Sequence, residues 1–179
     1  AQSFDGFFVK PVPGSAEDLA RQVFVPPANT NDSIQYSLFT RSNPKDACFI
    51  EPTSEEFDHC HFDPNLETKI LIHGFLVTVE TYKSFVLIKD ALLKKGSYNV
   101  IYVHWNRYNG HPYPQAVKNT IPVGKKIAEF IKFIKKHTGA KYNSFHLIGH
   151  SLGAHISGIV GKNVCNLGRI TGTLKLIFK

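Results

Sequence analysis

The sequence predicts an α/β fold: a mostly parallel sheet with helices on both faces and an antiparallel strand on its N-terminal side. Three observations predict it. KILIH (Lys69 to His73) and NVIYVHW (Asn99 to Trp105) are short, continuous apolar runs, the pattern of strands buried on both faces. After each of them, in residues 81–95 and 121–137, apolar side chains recur at helical spacing. A third strand and helix follow, and this alternation implies parallel pairing through right-handed crossovers.

Taken in order, residues 1–33 are broken by Pro11, Pro13, Gly14, Pro26 and Pro27, and no period survives there, so an irregular arm is expected. The rest, 34–179, reads as one partial domain. IQYSLFT, Ile34 to Thr40, alternates and is rich in β formers; Asn43 and Pro44 end it, which suits a strand near a sheet edge. Residues 41–67 read as loop and turn. The first helix, Thr81 to Lys95, carries apolar residues at Phe85, Ile88 and Leu92, and Gly96 stops it. The second helix turns Ile127, Phe130, Ile131 and Ile134 inward and Lys125, Lys126, Lys132, Lys135 and Lys136 mostly outward. Pro122 is tolerated in a first turn, so this helix is expected to begin near Thr120. Phe145 to Gly149 forms the third strand and Leu152 to Gly161 the third helix.

With 179 residues, 42% of them apolar and 12% aromatic, the chain can bury a core of its own. A net charge of +7 favours anionic partners, acidic lipid or nucleic acid. No RNP-like, zinc-finger or helix-turn-helix pattern is present and the lysines cluster on one helix face, so nucleic acid is set aside. No apolar run approaches the roughly 18 residues that span a bilayer, which makes any membrane contact peripheral. There is no Met, and removal of a secretory leader accounts most simply for a start at Ala1. Asn31, Asp32 and Ser33 form a glycosylation sequon, in keeping with secretion. Three cysteines, Cys48, Cys60 and Cys165, permit three single pairings; Cys48 with Cys60 closes a short loop and leaves Cys165 over.

The chemistry points to FHLIGHSLGAH. Gly149, His150, Ser151, Leu152 and Gly153 match G-x-S-x-G with a strand before and a helix after. So tight a turn strains the serine backbone, and the flanking glycines avoid collision. The hydroxyl of Ser151 then stands at the carboxyl end of its strand, where ligands of such sheets sit, above the positive end of the next helix. An oxyanion hole in this geometry takes the N–H of Leu152 and a second from a loop at an earlier strand end. His73, Gly74, Phe75 is the one candidate loop, so the N–H of Phe75 is the second donor. His73 itself is read as a satisfied buried histidine.

GHSLGAH at 149–155, ILIHGF at 70–75, VHWNRYN at 103–109, YPQAVKNTIPVGKKIAEFI at 113–131, YSLFTRSNP at 36–44 and RITG at 169–172 together resemble the N-terminal domain of the animal secreted lipases. That group includes pancreatic lipase, lipoprotein lipase and the phospholipases A1 of wasp venoms. The resemblance spans most of residues 34–172, in order. It implies a partial α/β-hydrolase fold that cleaves phospholipid or acylglycerol esters at a lipid interface through an acyl-enzyme, with no metal or organic cofactor. Carried across, it makes Ser151 the nucleophile and Phe75 and Leu152 the oxyanion donors.

Two departures stand out. Where the family has Asp in its VDW motif, this chain has His104, a supporting position. Where the family pattern ITGLDPA places the triad acid, at position 174, the chain reads ITGTLKLIFK and has Leu174. Hydrolases of this fold order their triad as Ser, then Asp or Glu, then His. After Ser151 there is no Asp or Glu, and the sole histidine is His155, one helical turn on and directed away from the mouth of the sheet. His104 and His111 are upstream alternatives for a base. The expectation is a C-terminally truncated or aberrantly spliced lipase product, with TLKLIF as a partial substitute for the next strand. The alternative is a secreted lipid-binding protein, derived from a lipase, that does not hydrolyse its ligand.

Overall fold

The computed structural model describes residues 34–53, 57–77 and 83–173. The N-terminal arm with its sequon, the helix start at Thr81 and the tail from Leu174 lie outside the described residues. Six strands form one sheet: β1 Gln35–Phe39, β2 Cys48–Ile50, β3 Thr68–Ile72, β4 Asn99–His104, β5 Phe145–His150 and β6 Arg169–Thr173, in the order β2-β1-β4-β3-β5-β6. β4, β3, β5 and β6 run parallel, and β1 is antiparallel to both its neighbours. The helices are α1 Lys83–Lys95, α2 Tyr113–Thr138 and α3 Leu152–Asn163.

Every residue of β3 and β4 is buried, because helices cover both faces of the sheet. The two-residue period of a strand sorts the side chains. Ile70, Ile72, Ile101, Val103 and Leu147 face the layer of α2 and α3, where Ile127, Ile131, Ile134 and Ile156 complete the larger core. Leu71, Val100 and Tyr102 face the other way, with Phe85 and Leu93 of α1. Burying one such side chain is worth about 1.5–3 kcal/mol, so the central strands anchor whatever stands at their carboxyl ends.

Two expectations need correction. The stretch expected to be loop and turn contains a strand, β2, which pairs outside β1 and leaves β1 next to the sheet edge; CFI is too short to show a period. α2 begins at Tyr113, well before Thr120, and carries Pro122 in its interior. The reason is a buried stripe of Ala116, Thr120, Val123, Gly124 and Ile127 that runs past the proline, whose ring faces solvent. A strand, RITGT, follows α3 and pairs with β5 while leaving most of its side chains exposed; the TLKLIF expectation falls, beyond Thr173, outside the described residues. In α1 the inward face is Phe85, Lys89 and Leu93, with Ile88 and Leu92 half-buried. Lys89 fits there because its ammonium sits over the Phe39 ring, 5.1 Å from the centroid, donates to the Pro44 carbonyl (2.6 Å) and pairs with Asp90.

Of the possible cysteine pairings, the fold forms Cys48 with Cys60, Cα atoms 5.7 Å apart, and Cys165 is an exposed free thiol. The bridge ties β2 to a loop that docks on α2. There Phe57 meets Phe133 and His137 edge-on, and Asp58 pairs with His137 at 2.7 Å.

Candidate active site

β5 ends at His150 and α3 begins at Leu152, so a single residue, Ser151, turns the chain. Its backbone sits at φ 55° and ψ −119°, a region that costs a side-chain-bearing residue on the order of 1–3 kcal/mol. The reversal is tight enough that a Cβ on Gly149 would lie 2.3 Å from the Gly153 carbonyl oxygen, and one on Gly153 would lie 2.0 Å from the Ile72 carbonyl oxygen. Neither position admits a side chain. The strained turn is tied down on three sides. The Ser151 N–H donates to the Thr173 carbonyl of β6 (2.9 Å), the Ala154 N–H donates to the Ser151 carbonyl (3.0 Å), and the Ser157 hydroxyl donates to the Gly153 carbonyl (2.8 Å).

The loop that leaves β3 approaches this turn closely. A Cβ on Gly74 would lie 2.8 Å from Ser151 Cβ and 3.3 Å from its Oγ, so only glycine permits the approach. Phe75 follows directly, half-buried, its ring edge-on to His111 and Tyr113 at 5.2 and 4.9 Å. Ser151, Leu152 and the Gly74–Phe75 peptide are thus brought to one place at the carboxyl end of the sheet. That arrangement has a hydroxyl, a helix N-terminus and two peptide units around one point, the parts needed to attack a carbonyl and hold the resulting oxyanion.

His73 is buried. Its ring stacks on Trp105 at 5.5 Å, its Nδ1 lies 3.1 Å from the Gly74 carbonyl, and its own carbonyl accepts the Trp105 indole N–H at 3.0 Å. It is thus a buried histidine packed at the end of β3.

The other histidines are scattered. His104 is buried with Nε2 2.7 Å from the Ser37 hydroxyl of β1, a bond directed away from β5 across the sheet. Here imidazole does the supporting work at that position. His111 lies against the Phe75 ring rather than in a pair with a carboxylate. His155 is exposed on α3, lining an open depression of about 430 Å³ with Tyr113, Val117, Ile159 and Lys162. His150, beside Ser151, is half-buried, and burial holds its pKa below the ordinary value.

One residue of the loop was missed by the sequence reading. Asn109 is buried, donates from Nδ2 to the Gly74 carbonyl (3.0 Å) and the Val77 carbonyl (2.7 Å), and accepts the Leu76 N–H on its own carbonyl (3.1 Å). It closes the VHWNRYN motif, but nothing local gives it a role, because its partners precede it by more than thirty residues.

Among the described residues no cluster of His, Cys, Asp or Glu is arranged to hold a metal ion, and no helix is long and apolar enough to cross a membrane.

Comparison with known proteins agrees with this geometry. The family described as "Lipase" matches residues 9–174. Mouse pancreatic triacylglycerol lipase is 34% identical over 147 residues, 82% of this chain and 31% of that protein. Bovine phospholipase A1 member A is 37% identical over 145 residues, 80% of this chain and 31% of that protein. Phospholipase A1 of the hornet Vespa crabro is 35% identical over 157 residues, 81% of this chain and 51% of that protein. The chain therefore spans about a third of the vertebrate relatives and about half of the hornet enzyme.

Proposed function

The chain belongs to the lipase family, and from that premise we propose that its residues carry the nucleophile and oxyanion hole of a secreted carboxylic ester hydrolase acting on phospholipid or acylglycerol esters at a lipid interface. Residues 34–179 form the nucleophile-bearing portion of its α/β-hydrolase domain. The observation that carries the reading is the Ser151 backbone, held in a costly conformation between two glycines that cannot be replaced. Such strain persists where it aims a reactive group. The Cys48–Cys60 disulfide supports an oxidising, extracellular setting.

In the proposed reaction Ser151 Oγ adds to the ester carbonyl while a base takes its proton, and the carbonyl oxygen becomes an anion between the N–H groups of Phe75 and Leu152. Each such donor lowers the barrier by about 3 kcal/mol. On collapse the base returns that proton to the leaving oxygen, so the product departs as a neutral alcohol and an acyl-serine remains. Water then repeats the attack, releasing the fatty acid and restoring the hydroxyl. Residues 152–179 contain no Asp or Glu and one histidine, the exposed His155. The imidazole and carboxylate of a proficient triad are thus not among them. A serine with hole and binding site alone retains roughly 10³–10⁴-fold over water, and that residue of activity is what these 179 residues support.

The test is labelling with a fluorophosphonate and peptide mapping. Slow, stoichiometric modification at Ser151, lost in Ser151→Ala, supports the proposal; labelling spread over other residues, or equal in Ser151→Ala, refutes it.

A second reading, lipid binding without turnover, is favoured by the exposed row Tyr113, Val117 and Ile121 on α2, spaced one helical turn apart. Co-sedimentation with anionic vesicles that is lost in Val117→Asp supports it, and unchanged sedimentation in that variant counts against it.

A further inference from the structure

We propose that Asn109 is a positioning residue for the oxyanion hole, the clamp that sets the direction of the Phe75 N–H; this rests on the reading of Gly74–Phe75 as part of the hole. The argument starts from one peptide plane. In a trans peptide the carbonyl and the N–H point in opposite directions. The Gly74 carbonyl accepts two hydrogen bonds from the buried side of the loop: from Asn109 Nδ2 at 3.0 Å and from the ring of His73 at 3.1 Å. The 3.4 Å approach of Asn109 Nδ2 to His73 Nδ1 then brings two donors together. It is tolerated because both Asn109 amide protons are directed at carbonyls, those of Gly74 and Val77, and the His73 Nδ1 carries its proton toward Gly74. With the carbonyl held inward, the N–H of Phe75 is turned to the opposite side of the plane.

The next peptide is fixed by the same residue in the opposite sense. The Leu76 N–H points back to the Asn109 carbonyl at 3.1 Å, and Leu76 accordingly sits at φ 53°, a conformation that a leucine rarely takes without external support. The Val77 carbonyl is held at 2.7 Å by Asn109 Nδ2. One buried asparagine therefore bonds three peptide groups of the loop, the Gly74 carbonyl, the Leu76 N–H and the Val77 carbonyl, and leaves the Phe75 N–H directed away from itself. Its side chain is 4% exposed along with the rest of the residue, so water does not compete for these bonds. A hydrogen-bond donor prepared in this way acts on an oxyanion without reorganising, which is where such donors derive their effect.

Asn109→Asp separates this role from mere filling. It keeps the shape and the backbone carbonyl that holds Leu76, but presents an acceptor to the Gly74 and Val77 carbonyls where an N–H₂ had donated. Amide hydrogen exchange across residues 73–77 and 68–72 is measured in the full 179-residue chain, wild type, Asn109→Asp and Asn109→Ala. Fluorophosphonate labelling is followed in the same proteins and in Ser151→Ala. The expected result is exchange at least about tenfold faster in 74–77 with β3 unchanged. Labelling should slow about 10²-fold in its first-order limit with little change in the concentration for half-saturation. Unchanged exchange in the loop of Asn109→Asp overturns the clamp. So does faster exchange with an unaltered labelling rate, which leaves Asn109 a structural residue. Should Ser151→Ala label as fast as wild type, the active-site reading fails on its own, and the exchange data still judge whether Asn109 holds the loop.

Discussion

At Ser151 the backbone stores strain that a glycine would not feel, because φ 55° with ψ −119° is unfavourable only for residues with a Cβ. Ser151→Gly is therefore expected to raise unfolding free energy by roughly 1–3 kcal/mol while removing all phosphonate labelling. Denaturant unfolding of the two proteins measures it, and equal or lower stability in the variant contradicts stored strain. This residue was legible in the sequence, since a turn that forbids side chains on both sides demands glycines at fixed offsets. Asn109 was not. Its bonds to Gly74 and Val77 cross from the end of β4 to the end of β3, and their meeting depends on the parallel pairing of those strands, which no single stretch of sequence encodes.

Among the elements, α2 shows how packing overrides local propensity. Pro122 forfeits a helical hydrogen bond, at a cost of about 3 kcal/mol or more in an interior, yet the buried stripe on either side keeps the helix continuous. Because the Pro122 ring is exposed, Pro122→Ala restores the bond without disturbing the core, and a higher melting temperature is expected; an unchanged or lower one would show that the fold needs the proline. The strand row across Lys69, His146 and Arg169 carries a pH effect. Burial, followed by the charges of Lys69 and Arg169, pushes the His146 imidazole down to about 4 from 6.5, with Glu67 opposing. Between those values the unfolded chain binds a proton that the folded chain does not, so stability falls as pH drops from 6.5 to about 4 and is untouched above. Allowing for partial solvent screening, the loss is roughly 1–2 kcal/mol. His146→Gln should flatten that part of the stability–pH curve; an unaltered slope would contradict it. The central strands and the three helices were readable from period and run length. β2 and β6 were not, because CFI is too short to alternate and RITGT exposes nearly every side chain.

For the whole molecule, the sheet brings Ser151, Leu152 and the loop after β3 to one end, and β6 lies against Ser151 through Thr173. The position at which the family resemblance places the triad acid follows directly on Thr173 and is occupied by Leu174. The fold and the nucleophile follow from patterns contained within these residues. The base and acid do not, as the histidines weighed for that role lie elsewhere: His104 is bonded to Ser37, His111 lies against the Phe75 ring, and His155 is exposed in the depression along α3. The central claim is the proposal that the strained Ser151 and two oxyanion donors stand among these residues without the base and acid of a proficient triad. Steady-state hydrolysis of a short-chain nitrophenyl ester by the purified 179-residue chain and by Ser151→Ala tests it most directly. The account predicts a rate no more than roughly 10³–10⁴-fold above uncatalysed hydrolysis, lost in Ser151→Ala. Multiple turnovers per second that disappear in Ser151→Ala would contradict it and require a base and acid among the residues described above.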